Sequence, residues 1–172
     1  MEIVDLYDRQ KRILNKRIDR YSSKQLDGEY MQTVHIWIIN SKGELLIQKR
    51  STNKPKNPGK WACTAGAVDA GETSLDGAKR EVKEELGLEL EEDKFDFLIS
   101  FKREFTFIDV WLIKADIEIS DIKLQEEEVD EAKWISINEL EKMLETEEFV
   151  QSIKLYYDLF MSILEKYYNI NK

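Results

Sequence analysis

Gly66 to Leu88 is the stretch that most constrains how this chain can fold. It reads Gly66, five residues, Glu72, seven residues, then Arg80-Glu81-Val82-Lys83-Glu84-Glu85-Leu86-Gly87-Leu88. Glu81, Glu84 and Glu85 stand at i, i+3 and i+4, positions that share one stripe of a helix. Three like charges that close destabilise the helix unless a cation lies between them. Hard oxygen ligands on a rigid helix suit magnesium, which prefers partners that bring phosphate oxygens. The spacing therefore predicts a helix carrying a metal-assisted site for a diphosphate. The plainer reading is a solvated acidic face with an Arg80–Glu84 ion pair. The flanking glycines and the distance to Glu72 weigh against it.

The ends of this helix are marked. Thr73 or Ser74 can cap its start. Leu75, Ala78, Val82 and Leu86 form an apolar stripe beside the glutamates. Gly87 is placed for a left-handed cap, with Leu88 packing back. Gly77 costs about 1 kcal/mol against Ala inside a helix, so a close packing contact is expected there.

Elsewhere the pattern is that of strands and flanking helices. Residues 2–20 fit a short hairpin around Asp8-Arg9-Gln10-Lys11, with a basic amphipathic helix as the rival reading. Residues 32–40 and 44–49 flank Asn40-Ser41-Lys42-Gly43, a hairpin signal. Residues 51–60 hold both prolines and read as a loop. Trp61-Ala62-Cys63-Thr64 leads as a strand into the glycine. Residues 95–101, 105–116 and 132–135 read as further strands. A helix then runs to about Leu144, with Ser136 and Glu139 as its capping box. The periodicity of residues 148–168 predicts one long amphipathic helix. Its apolar stripe either packs on its own domain or forms a homodimer seam. The expected fold is an α/β sandwich over a mixed sheet. It forms a single domain over 1–172, with an N-terminal hairpin extension to about 30.

The stretch from Gly66 to Leu88 resembles the signature of the Nudix hydrolase superfamily: Gly-x5-Glu-x7-Arg-Glu-U-x-Glu-Glu-x-Gly-U, U being bulky and aliphatic. All seven fixed identities are present, and Val82 and Leu88 fill the aliphatic slots. The resemblance implies an α/β/α sandwich that hydrolyses the pyrophosphate link of a nucleoside diphosphate derivative, with Mg2+ or, in its place, Mn2+. It implies Glu84 and Glu85 as principal metal ligands. Glu81 would share a metal or orient the attacking water. Arg80 would hold Glu81, Glu72 would support the carboxylates from behind, and the Gly66 carbonyl would add a backbone ligand. A further acidic ligand is expected from the run 124–131, with Glu128 the first choice and Glu127 the second.

Cations are expected to meet the substrate phosphates, a role for Arg50 and Lys60, with Lys54 and Lys56 beside them. Lys102 and Arg103 are a weaker pair in a turn. His35 stands in an apolar strand and reads as a core or pocket-wall histidine rather than a base. Trp37, Trp61 and Trp111 read as core, with base stacking the rival role.

The N-terminal hairpin, Val34-His35-Ile36-Trp37-Ile38, Gln48-Lys49-Arg50-Ser51 and Pro58-Gly59-Lys60-Trp61 look like the branch related to isopentenyl-diphosphate isomerase. That enzyme uses a cysteine just before the glycine and a histidine just after it. Ala65 and Ala67 occupy those places, and Cys63 lies two residues too early. Hydrolysis is therefore expected over isomerisation. An inactive diphosphate-binding module is the third reading, and no carboxylate of the signature is missing to support it.

Charge and cysteine use limit the remaining classes. A net charge of −9 disfavours nucleic acid and acidic membranes as partners. It admits a small diphosphate only where metals and local cations offset it. One cysteine, no apolar run of spanning length and no leader-like start fit a cytoplasmic protein.

Overall fold

Val34, Ile36 and Ile38 face one way along a nine-residue strand, while Trp37 and Ile39 face the other. Period-two alternation of this kind gives a sheet two apolar faces, and each must be covered. The computed structural model, which describes residues 2–21 and 25–170, shows how.

The strands are β1 (Ile3–Tyr7), β2 (Ile13–Asp19), β3 (Met31–Ile39), β4 (Leu45–Arg50), β5 (Trp61–Ala62), β6 (Thr64–Ala67), β7 (Phe95–Arg103), β8 (Thr106–Lys114) and β9 (Val129–Ile135). The helices are α1 (Ser74–Leu86), α2 (Ile137–Glu145) and α3 (Tyr157–Tyr168). β3 pairs parallel with β8 along its whole length. Its other edge divides: Thr33–Ile36 pair antiparallel with β6, and Ile38–Ile39 pair with β4. β4 also pairs with β5 and β9, and β7 closes the far edge against β8. The result is a mixed central sheet flanked by helices.

One face packs on α1 through Val34, Ile36, Ile38, Ala78, Val82 and Leu86. The other packs on α2 and α3 through Trp37, Ile47, Leu140, Phe149, Phe160 and Leu164. Each large side chain fully buried there contributes about 1.5–3 kcal/mol.

β1 and β2 pair antiparallel and dock beside the loop that precedes α1. The Ala70 amide donates to the Ile3 carbonyl at 2.8 Å, and the Gly71 amide to Asp5 Oδ2 at 2.7 Å. Arg17 completes the partners of the buried Asp5 at 2.8 Å. At the hairpin tip, Lys11 donates to the buried Asp109 at 2.5 Å.

The C-terminal stripe packs on its own sheet, but it is not one helix. Residues 148–150 run alongside Trp61. A 3-10 turn follows over Gln151–Leu155, and α3 begins at Tyr157. Tyr156, with φ −132°, breaks the run. That break lets its hydroxyl accept from Trp37 Nε1 at 3.0 Å and meet His35 Nδ1 at 2.9 Å. The sequence pattern reads as continuous because a 3-10 turn spaces its apolar residues almost as an α-helix does. Among the described residues no helix is long and apolar enough to cross a membrane.

Candidate active site

α1 starts and stops where its local chemistry dictates. Thr73 Oγ1 accepts from the Asp76 amide, and the Asp76 carboxylate accepts from the Thr73 amide in return, a reciprocal box. Gly87 ends the helix at φ +68°. Its Cβ would fall 2.7 Å from Lys123 Cβ, so position 87 admits no side chain without a shift. A Cβ on Gly77 would approach Val68 Cγ2, just past β6, to 3.2 Å, the close packing contact that its cost implied.

With α1 fixed against β6, its glutamate stripe faces Gly66. A Cβ there would lie 1.9 Å from Glu81 Oε1. Glycine is required at that position so that the carboxylate can rest on the strand backbone. Arg80 spans the cluster. It donates to Glu72 Oε1 at 2.9 Å, Glu81 Oε1 at 2.7 Å, Glu84 Oε2 at 3.0 Å and the Ala67 carbonyl at 2.7 Å. Glu72 also accepts from the Asp69 amide at 3.0 Å, which ties the loop to the helix. Glu85, only 5% exposed, accepts from Gln48 Nε2 at 2.5 Å and from the Ala65 amide at 3.4 Å. Thr64 holds Gln48 from behind at 3.2 Å.

Charge is crowded here. Burial pushes the Glu85 carboxyl up to about 8, with the Glu81 charge adding to it and Gln48 opposing. Burial pushes Glu81 up to about 7 against the pull of Arg80. Burial pulls Arg80 down, but Glu72 and Glu81 outweigh it and hold the guanidinium above its ordinary range.

Arg80, Glu81, Glu84 and Glu85 line a chamber of about 430 Å³ together with Glu2, Arg20, Lys54, Asp69 and Glu128. A second chamber of about 440 Å³ adjoins it, walled by His35, Cys63, Arg103, Ile108, Phe149 and Ile153. Arg20, Tyr21, Arg50, Lys56, Ala65 and Gly66 line both and form the neck between them.

The chamber gathers Gly66, Arg80, Glu81, Glu84, Glu85, Arg50 and Glu128, with Glu72 behind Arg80. It does not gather Lys60 or Glu127, neither of which lines either chamber. Lys54 and Lys56 take the place expected of Lys60. Arg103 lines the second chamber and Lys102 does not. Trp37, Trp61 and Trp111 are core residues, at most 8% exposed, and line neither chamber. His35 is a pocket wall, as expected. Burial and then Arg103 lower its pKa to about 4.

Three contributors carry no local signal in the sequence. Gln48 stands in a strand 37 residues before the glutamate that it holds. Arg20 and Tyr21 arrive from the end of the docked hairpin, where Arg20 is braced on Glu2 at 2.7 Å.

A divalent metal can be weighed against these groups. Among the described residues no three carboxylate, imidazole or thiol groups already form a ready-made metal cage. Each acid is held by a protein donor instead: Glu81 and Glu84 by Arg80, Glu85 by Gln48, Glu128 by Lys54. The available ligand atoms are all hard oxygens; Glu85 is buried with only neutral donors bonded to it, and Glu81 shares Arg80 with Glu72 and Glu84. That set fits magnesium or manganese.

Comparison with known proteins finds related sequences and folds. The family described as the NUDIX domain matches residues 29–158. An uncharacterized Nudix hydrolase of Listeria innocua is 38% identical over 151 residues, covering 87% of this chain and 89% of that one. Nudix hydrolase 3 of Arabidopsis thaliana is 36% identical over 136 residues, 71% of this chain but 18% of that protein. The crystal structure of DR0079 from Deinococcus radiodurans superposes with a TM-score of 0.71 at 24% identity, covering 84% and 90% of the two chains. That last likeness is one of fold.

Proposed function

The chain belongs to the Nudix hydrolase family, and from that premise we propose that it hydrolyses the pyrophosphate link of a small diphosphate derivative, a nucleoside diphosphate compound by preference, with magnesium bound at the α1 glutamates. The observation that carries this reading is the seat of Glu81 on the Gly66 backbone, with Glu84 and Glu85 beside it in a cleft ringed by cations.

Glu81, Glu84 and Glu85 would hold the metal, with the Gly66 carbonyl and Glu128 completing the set. Such a metal lowers the pKa of bound water and neutralises charge developing on phosphoryl oxygens. The chain's own residues do the rest. Arg80 fixes Glu81 and Glu84 from behind, so their oxygens keep one geometry. Gln48 turns Glu85 toward the chamber and spares a buried carboxylate an empty partner. Glu81, seated on the Gly66 backbone and fixed by Arg80, would orient the attacking water and take up its proton.

Arg20, Arg50 and Lys56 at the neck are placed to bind the diphosphate between the two chambers. The chain's acidity makes such local cations necessary. The chamber of about 440 Å³ then takes the substrate's second moiety. Positioning and charge stabilisation supply most of the acceleration in reactions of this kind.

Isomerisation finds no support in the site. Burial, with the Glu85 charge, pushes the Cys63 thiol up to about 12, which suits neither proton donation nor a thiolate at neutral pH.

The test is product analysis by phosphorus NMR with magnesium across nucleoside triphosphates, nucleotide sugars, dinucleotides and prenyl diphosphates. Hydrolysis gives two cleaved phosphates from at least one of them. Double-bond migration without phosphate release, or binding without turnover, would overturn the assignment.

A further inference from the structure

Among the described residues, Glu128 is the acid of the chamber that bonds a lysine. Lys54 Nζ donates to its Oε2, and the two side chains are 19% and 31% exposed. The joint is braced. The Ser51 amide donates to the Glu128 carbonyl at 2.8 Å, the Lys54 amide to the Ser51 carbonyl at 3.1 Å, and Ser51 itself is buried. Lys54 and Glu128 are therefore held face to face across one edge of the chamber that contains Glu81, Glu84 and Glu85.

Resting on the proposed hydrolase reading, we propose that Lys54 is a positioning residue that withholds Glu128 from the metal until a phosphate takes over the lysine's charge. Glu128 cannot serve both cations at no cost. Sharing its carboxylate sets an ammonium against a divalent ion across one group, inside a partly desolvated cleft. Moving Glu128 wholly to the metal strands Lys54, which bonds no other carboxylate among the described residues. Arg80 differs, because Glu72 and the Ala67 carbonyl still occupy it if a metal draws Glu81 away.

A phosphate in the chamber removes the conflict. Lys54 turns to the phosphate oxygens, Glu128 turns to the metal, and every charge keeps a partner. Metal and phosphate thus tighten each other's binding, and the coupling is reciprocal.

The experiment is calorimetric titration of the full chain with Mn2+, with and without inorganic phosphate. In wild type, phosphate tightens Mn2+ binding by about fivefold or more, the lower end of ordinary coupling. Lys54→Gln tightens Mn2+ binding without phosphate by a similar factor and loses most of the phosphate effect. Lys54→Arg keeps the ion pair and behaves as wild type. Glu128→Gln weakens Mn2+ binding and cancels the gain from Lys54→Gln in the double variant. Melting temperatures of the variants without metal confirm that each is folded.

Unchanged or weaker Mn2+ binding in Lys54→Gln, with wild type binding normally, overturns the inference and leaves the hydrolase reading intact. Wild type that binds no Mn2+ at all overturns both.

Discussion

Gly66 and Glu81 occupy each other's space: a Cβ on the glycine would lie 1.9 Å from the glutamate's Oε1 and 2.0 Å from its Cδ. The glycine is needed for clearance rather than for backbone freedom, since it sits in a strand paired with Val34. Gly66→Ala should push the Glu81 carboxylate off its seat. A displacement of about 1 Å costs on the order of a hundredfold in turnover. The displaced atoms are the far end of a flexible side chain, so the fold should survive. Steady-state kinetics with a melting curve check this. Full activity, or unfolding, would contradict it.

Among the described residues, Gln48 is the one side chain that bonds Glu85. Gln48→Ala leaves that buried carboxylate with the long Ala65 amide contact alone. Partners of this kind typically set metal affinity by 10–100-fold. Mn2+ titration should show that loss, while Thr64→Ala, one bond further away, should show a smaller one.

Tyr156 ties the C-terminal segment to the sheet through one hydroxyl. Tyr156→Phe strands Trp37 Nε1 and His35 Nδ1, at a cost of about 1–3 kcal/mol. Urea unfolding should show the midpoint fall with little change in slope.

His35 gives a pH signature. Its folded pKa is lowered to about 4 by burial and then by Arg103, against 6.5 for the ordinary imidazole. The unfolded chain therefore takes a proton before the folded one does. The stabilisation is present above about pH 6.5 and is lost as pH falls toward 4, by at most about 3 kcal/mol. His35→Gln should remove this component. Stability curves that stay parallel between pH 7 and 4 would contradict it.

The sequence made legible whatever is decided within a few residues. Thr73 and Gly87 cap the two ends of one helix, and Ser136 and Glu139 form the reciprocal cap that their spacing implies. The glutamate stripe follows from helix geometry alone. What stayed hidden is contact over long separations. Gln48 reaches Glu85, Arg20 reaches the neck from a hairpin docked through Asp5, and Tyr156 breaks a helical run to satisfy Trp37. None of these has a local pattern, because each depends on how strands far apart in the chain pair. Lys60 shows the converse. Its neighbours Lys54 and Lys56 look equivalent in sequence, and only the path of the loop separates them.

Glu84 is the most exposed of the three α1 glutamates, with half its side-chain surface in solvent and, among the described residues, Arg80 alone bonded to it. Glu84→Gln should lower turnover by two orders of magnitude or more as a metal ligand is lost, with the metal-free melting temperature almost unchanged. A large loss of stability would instead mark it as structural.

The most direct measurement is anomalous diffraction from crystals soaked in manganese. The account predicts a peak in the chamber bounded by Gly66, Glu81, Glu84, Glu85 and Glu128. A soaked crystal with no peak there, its carboxylates still bonded to Arg80 and Gln48 alone, would contradict it.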